Sequence, residues 1–274
     1  MKFLNLLFFI FILTGCQKKI PTPSERKSSV LLFAQEKKFK EINIKTSTFT
    51  LFSLQNKSVQ CKNKELKIYI EGDGLSWITR NTISKDPTPI NSTILKLMYD
   101  DKSECKVYLS RPCQFLNTGI CDKKYWTSHR FGQEVMKSFD ESLNSLKKEY
   151  KNSNFILIGH SGGGAIASLL ASSRIDVDIL ITIAGNLDTQ KWTSMYNLSE
   201  LNGSLNPADF TKKLQNIKQY HLIGNEDKII PKDVFLSYFS KFEKKDKVNF
   251  LYFDENHNCC WEKHYIKLLN EIEN

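Results

Sequence analysis

Asn154-Phe-Ile-Leu-Ile-Gly159-His160-Ser161-Gly162-Gly163-Gly164, continued by Ala165-Ile-Ala167-Ser-Leu-Leu-Ala171, is the stretch from which the rest of the chain can be placed. Phe155 to Ile158 is a short apolar run of the kind a buried strand uses. Gly159 to Gly164 reads as a sharp turn, and the small residues that follow give a helix one face able to lie close on a sheet. In Gly-x-Ser-x-Gly, a serine at the tip of such a strand-turn-helix unit is held in a strained backbone conformation with its hydroxyl above the sheet edge. Gly159 and Gly162 or Gly163 leave room where strand and helix come together. The helix N-terminus beneath the hydroxyl supplies free N–H groups and partial positive charge. A dinucleotide-binding turn would need glycine at position 161 and would open the first strand-helix unit, whereas this turn lies mid-chain.

Outward from that turn the pattern alternates. Short runs rich in β-branched and aromatic residues predict strands at Thr48 to Leu54, Leu66 to Ile70, Cys105 to Leu109, Phe155 to Ile158, Asp178 to Ile183, Gln219 to Ile223 and Asn249 to Phe253. Between them, Phe131, Val135, Phe139, Leu143, Leu146 and Tyr150 recur at helical spacing, as do Trp261, Tyr265, Leu268 and Ile272. Strands alternating with helices predict an α/β domain: a mostly parallel central sheet with helices on both faces and ligands beyond the carboxyl ends of the strands. Ser161 stands at such an end.

A serine nucleophile needs a base and an acid, and in this setting they follow it in the order acid, then histidine. After the strand ending near Ile223 comes Gly224-Asn225-Glu226-Asp227, ahead of a helix start at Pro231. After the last strand comes Asp254-Glu255-Asn256-His257-Asn258. With Ser161, Asp227 and His257 in these positions the chain resembles an α/β-hydrolase over residues 66–272. The resemblance implies acyl transfer to water: His257 takes the Ser161 proton as the hydroxyl attacks an ester-type carbonyl, Asp227 orients the imidazole, and water cleaves the acyl-enzyme. No cofactor is needed. A serine peptidase of the same fold and a non-catalytic binding lipoprotein on this scaffold are the alternatives.

Rivals to these positions exist. Asp188, after the preceding strand, is a second candidate acid, but it opens a long polar segment expected to hold it loosely. Glu226 should point the other way in a tight turn. His264 lies within the last helix, His160 reads as a packing or turn residue, and His129 and His221 receive no chemical role. The oxyanion donors are expected to be the backbone N–H of Gly162 and one from Glu71-Gly72-Asp73-Gly74, with Asp73 and Gly74 favoured and the Asp73 carboxylate turned away from the site. Arg111-Pro-Cys-Gln and residues 187–210, which include Trp192, Tyr196, Leu198, Leu201 and Leu205, border the same face; the latter has the length of a small lid or pocket wall.

The N-terminus gives the compartment. Phe3 to Leu13 is apolar but too short to span a bilayer, and it ends in Leu13-Thr14-Gly15-Cys16. This resembles a bacterial lipoprotein signal, with 1–15 cleaved and Cys16 lipidated; Gln17 implies outer-membrane sorting, with the domain facing the periplasm. Residues 16–45, with Ile20-Pro-Thr-Pro-Ser-Glu-Arg-Lys, read as a lipidated N-terminus and flexible tether ahead of one domain at 46–274. A net charge of +9 arises from scattered lysines, which fits a basic surface near anionic lipid better than a nucleic-acid site. Of seven cysteines, six remain beyond Cys16, an even number in a disulfide-permissive compartment. Cys113 pairs best with Cys121 and Cys61 with Cys105; the pairing of adjacent Cys259 and Cys260 stays open, and zinc spacing is lacking.

Overall fold

The computed structural model describes residues 19–116, 118 and 120–273; Cys16 and the signal-like segment lie outside them. In chain order the elements are α1 (Pro23–Glu36), β1 (Lys40–Lys45), β2 (Thr50–Gln55), β3 (Leu66–Ile70), β4 (Trp77–Thr79), β5 (Thr82–Ile83), α2 (Thr93–Asp100), β6 (Lys106–Leu109), α3 (Gln133–Tyr150), β7 (Phe155–His160), α4 (Gly162–Ser173), β8 (Val177–Ile183), α5 (Thr189–Met195), α6 (Thr211–Leu214), β9 (Lys218–Gly224), α7 (Lys232–Ser240), β10 (Val248–Phe253) and α8 (Glu262–Glu273).

Eight strands form one sheet in the order β1-β2-β6-β3-β7-β8-β9-β10. From β6 to β10 all neighbours are parallel, while β1 and β2 are antiparallel at one edge. Both faces are covered, which is why the central strands read as unbroken apolar runs rather than alternating ones. Ile68, Ile70, Phe155 and Leu157 pack with Val135, Phe139 and Leu143 of α3 and with Ala165, Ile166 and Leu169 of α4. Tyr69, Ile156 and Ile158 face the other way, onto Leu97 and Met98 of α2, Trp261 just ahead of α8, and Tyr265 and Leu268 of α8.

The close seat of α4 depends on its glycines. A Cβ on Gly163 would lie 2.2 Å from the Ile70 carbonyl oxygen, and one on Gly159 would lie 2.2 Å from the Gly163 carbonyl oxygen. Any side chain at either place would push the helix off β3 and β7, and with it the residue between them.

Residues 22–45 correct the expectation of a tether. Thr22 and Glu25 form a reciprocal capping box with Pro23 in the first turn, and α1 follows. Arg26 is buried, donates to the Thr88 carbonyl and pairs with Asp86 at 3.4 Å. Ala34 and Phe39 join the core on that face, and β1 extends the sheet, so the domain starts near residue 22 rather than 46. The misreading has a physical cause: α1 is held at its start by a polar anchor, and its apolar residues Val30 to Phe33 run consecutively, so no helical stripe shows.

Cys61 bridges Cys105 and Cys113 bridges Cys121, each pair with Cα atoms 5.6 Å apart. Cys259 and Cys260 are bonded to each other. Among the described residues no helix is long and apolar enough to cross a membrane.

Candidate active site

The β7-α4 turn places Ser161 where a residue other than glycine is rarely found. Its φ is 55° and its ψ −122°, a conformation that persists because the surrounding contacts fix it. Its N–H donates to the Ile183 carbonyl at 3.0 Å, and its own carbonyl accepts from Gly164 and Asn186 at 3.0 and 3.1 Å. Strands β7 and β8 and helix α4 thus hold the serine backbone from three sides.

Two loops at the carboxyl end of the sheet bring the remaining groups. His257, in the loop after β10, lies with Nε2 2.9 Å from Ser161 Oγ. Its Nδ1 lies 2.7 Å from Asp227 Oδ2, in the loop after β9. The other oxygen of Asp227 accepts the backbone N–H groups of Ile229 and Ile230, both at 2.8 Å, so the carboxylate cannot rotate without losing two bonds. Ser161, Asp227 and His257 are all buried, at 8%, 4% and 7% exposure.

His160 supports the loop from below. Its Nε2 donates to the His257 carbonyl at 2.8 Å, and the two rings lie 4.9 Å apart. Burial, and then the neighbouring His257, push the His160 pKa down to about 3, so it stays neutral beside the pair. Trp261 Nε1 donates to the same carbonyl.

The rival positions are occupied otherwise. Asp188 caps α5 through Lys191 N–H, accepts from Ser237 Oγ at 2.7 Å and from Asn206, and pairs with Lys241 at 3.2 Å. It is held firmly at 2% exposure, not loosely as expected, and its partners lie on α5, α7 and the 206–209 turn rather than on His257. Burial opposes its ionisation, but Ser237, Lys191 and Lys241 outweigh that and keep its pKa low. His264 stacks on Phe253 and bonds Glu255, His129 bonds Ser128, and His221 sits inside the sheet on Thr182.

The turn after β3 lies against Ser161. A Cβ on Gly72 would be 3.5 Å from Ser161 Cβ. The N–H of Gly162, as the first residue of α4, has no intrahelical acceptor, and among the described residues no backbone acceptor takes the N–H of Asp73. Gly74 has a φ of +63°, and a Cβ there would fall 2.0 Å from the Pro87 carbonyl oxygen and 2.8 Å from Gln114 Nε2. Gln114 Nε2 donates to the Gly72 carbonyl at 3.0 Å and fixes the turn from outside.

The Asp73 carboxylate does not turn away. It lies so close to Gly162 that a Cβ there would fall 2.1 Å from Oδ1. What makes this tolerable is a pair of buried guanidinium groups, Arg111 at 2.9 Å and Arg130 at 2.6 Å. Burial opposes ionisation of Asp73, yet Arg130 and Arg111 together hold its carboxyl below the ordinary range. Two guanidinium groups thus meet the one Asp73 carboxylate beside the N-terminus of α4. Arg111 belonged to a stretch visible in the sequence; Arg130, in Ser128-His129-Arg130, carries no spacing signal. Behind them Glu71 binds Tyr108 and Gly72 N–H, its pKa raised by burial.

Helix α5 forms one wall. Trp192 Nε1 donates to the Ile229 carbonyl and Tyr196 to the Lys228 carbonyl, so the first part of the expected lid is tied to the Asp227 loop, and Arg130 lies over the Trp192 ring. For a metal, Glu255, Cys259 and Cys260 place ligand atoms within 4.8 Å of one another, but with the sulfurs bonded to each other that group has no thiolate to offer.

A mostly parallel sheet with helices on both faces, a strained serine between β7 and α4, and acid and histidine on the loops after β9 and β10 define the α/β-hydrolase fold. The model of the family described as lipase (class 3) matches residues 97–177, which include Ser161. The esterase Pf2001 of Pyrococcus furiosus is similar over 85% of this chain and 90% of its own, at 12% identity and a TM-score of 0.61. Est1E from Butyrivibrio proteoclasticus is similar over 85% and 97%, at 13% identity and a TM-score of 0.57. An α/β serine hydrolase homologue from Coxiella burnetii is similar over 85% and 95%, at 13% identity and a TM-score of 0.58. No curated protein matches the chain.

Proposed function

We propose that the protein is a serine hydrolase that cleaves an ester-type acyl bond through Ser161, His257 and Asp227. The observation that carries this is the continuous relay from Asp227 Oδ2 to His257 to Ser161 Oγ, at 2.7 and 2.9 Å. His257 accepts the Ser161 proton as Oγ bonds to the substrate carbonyl carbon, and Asp227 stabilises the imidazolium. The resulting oxyanion is received by the N–H of Gly162 at the N-terminus of α4 and that of Asp73 in the turn after β3. The imidazolium then protonates the leaving alcohol, and a water deprotonated by His257 releases the acid. Asp73 reaches this role through its backbone; its side chain, paired with Arg111 and Arg130, locks the turn. The lipase family match and the esterases of the same fold agree with an ester substrate.

We further propose, on the Leu13-Thr14-Gly15-Cys16 motif of the sequence, that the enzyme lies in the bacterial envelope, anchored through acyl chains on Cys16 at the outer membrane and facing the periplasm. The bridged cysteines suit that compartment. Rates on aryl esters of rising acyl length, beside aryl amides of short peptides, test the reaction class. Ester turnover abolished in Ser161→Ala is the expected result; amide turnover exceeding ester turnover, or activity that survives Ser161→Ala, contradicts it.

A further inference from the structure

Strands β4 and β5 form a separate two-stranded hairpin that leaves the body of the domain just after the Asp73 turn. Every residue from Trp77 to Thr82 is exposed, on both sides of the ribbon. An isolated two-stranded ribbon has little stability of its own, and this one is held at its base. Ser84 N–H donates to the Ser76 carbonyl, Trp126 Nε1 to the Ser84 carbonyl, and Ser76 Oγ to the Asp73 carbonyl at 2.9 Å. The hairpin is therefore fastened directly to the turn that lies against Ser161.

What it presents is unusual for a surface. Trp77 and Ile78 are 41% and 43% exposed and adjacent, and Ile90, on the segment that returns from the hairpin, is 42% exposed. Between Asp73 and Asp86 the chain carries Arg80 at the ribbon tip and Lys85 at its base and no acidic residue. An apolar pair with an indole, flanked by cations only, complements the boundary of an anionic bilayer: the ring seats at headgroup level and the cations meet phosphates.

A second observation concerns where the chain comes from. Buried Arg26, in the first turn of α1, is bonded to Asp86 and the Thr88 carbonyl, which fixes the start of the domain beside the hairpin base. Cys16 lies six residues before Thr22, so it is within about 20 Å of that point even when fully extended. The tether expected from the sequence would have let the domain tumble freely; the short link that α1 leaves does not.

We propose that the β4-β5 hairpin is a membrane-docking element. Trp77 and Ile78 enter the interface of an anionic phospholipid bilayer, Arg80 and Lys85 lie on its phosphates, and the turn beside Ser161 is held facing the lipid. That orientation deepens the hydrolase reading, since it points to acyl esters presented at a lipid surface; the docking itself does not depend on catalysis.

The test uses the full chain with vesicles of phosphatidylglycerol and phosphatidylethanolamine whose acyl chains are brominated, reading tryptophan quenching. Wild type and Ser161→Ala should be quenched alike, Trp77→Phe should lose most of the quenching, and Ile78→Asp/Arg80→Glu should lose it while Trp77 still fluoresces. High salt should weaken the signal in wild type. Equal quenching in wild type and Trp77→Phe overturns the proposal, as does equal quenching in phosphatidylcholine vesicles. Ester hydrolysis without Trp77 quenching removes the docking and leaves the hydrolase reading; quenching without hydrolysis does the reverse.

Discussion

Asp227→Asn is the substitution for which the geometry dictates the outcome most tightly. Asp227 Oδ1 accepts two backbone N–H groups, from Ile229 and Ile230, each at 2.8 Å. An asparagine must keep its single oxygen on that side or leave two backbone donors unpaired, one of them buried, at about 1 kcal/mol or more for the buried one. Its NH2 then faces His257 Nδ1, which must become an acceptor, and the ring proton moves to Nε2. There it points at Ser161 Oγ, 2.9 Å away, and the imidazole can no longer take the serine proton. By analogy with serine proteases, a wrong tautomer costs about 10⁴ in turnover, or about 5.5 kcal/mol. Asp188→Asn weakens bonds to Ser237, Lys191 and Lys241, so it should lower stability while turnover per folded molecule stays near wild type. Steady-state kinetics on a short-chain aryl ester, with folding followed by circular dichroism, decides between them. Folded Asp227→Asn with turnover within tenfold of wild type, or the reverse ranking of the two variants, refutes the reasoning.

The other expectations follow from covalent links and titration. Cys61→Ala/Cys105→Ala opens a loop of 44 residues' separation and should cost about 4 kcal/mol in urea unfolding, against about 2.6 for Cys113→Ala/Cys121→Ala at a separation of 8; equal costs would contradict this. His160 and His221 have pKa values pushed down to about 3 by burial, from 6.5. Below about pH 6 the unfolded chain binds both protons and the folded chain neither, so stability falls with pH by up to roughly 2.7 kcal/mol per unit, offset in part by Glu71, whose raised pKa acts in the opposite sense. His221→Gln should halve the histidine part of that slope in urea melts at pH 6, 5.5 and 5, and an unchanged slope would count against it. Cys16→Ser should abolish metabolic labelling with fatty acid; persistent label would place the anchor elsewhere.

The elements legible in the sequence are those whose burial is symmetric or periodic. Strands β3, β7 and β8 appear as apolar runs because both faces of the sheet are covered there, and α3 and α8 show stripes because only one side is. Ser161, Asp227 and His257 could be placed because each sits just beyond such a strand, where position alone limits the candidates. Elements held by polar anchors escaped. Helix α1 hangs on a capping box and on Arg26, and Thr22-Pro23-Ser24-Glu25 was the one signal that marked it. The hairpin β4-β5 is exposed from Trp77 to Thr82 on both faces, with only Ile83 packed on the core, and so has no alternating pattern. The Asp73, Arg111 and Arg130 cluster joins residues 38 and 57 positions apart through side chains alone, and no local spacing announces such a contact.

The central claim is that Ser161 is a nucleophile made reactive by His257, and the most direct measurement is the site of covalent capture by a fluorophosphonate. Digestion and mass spectrometry of the labelled protein should find the phosphonyl group on the peptide containing Gly159 to Gly164, attached to Ser161. Labelling should vanish in Ser161→Ala and fall by orders of magnitude in folded His257→Ala. A folded wild-type protein that takes no label, or one labelled elsewhere and unchanged by Ser161→Ala, would contradict the account.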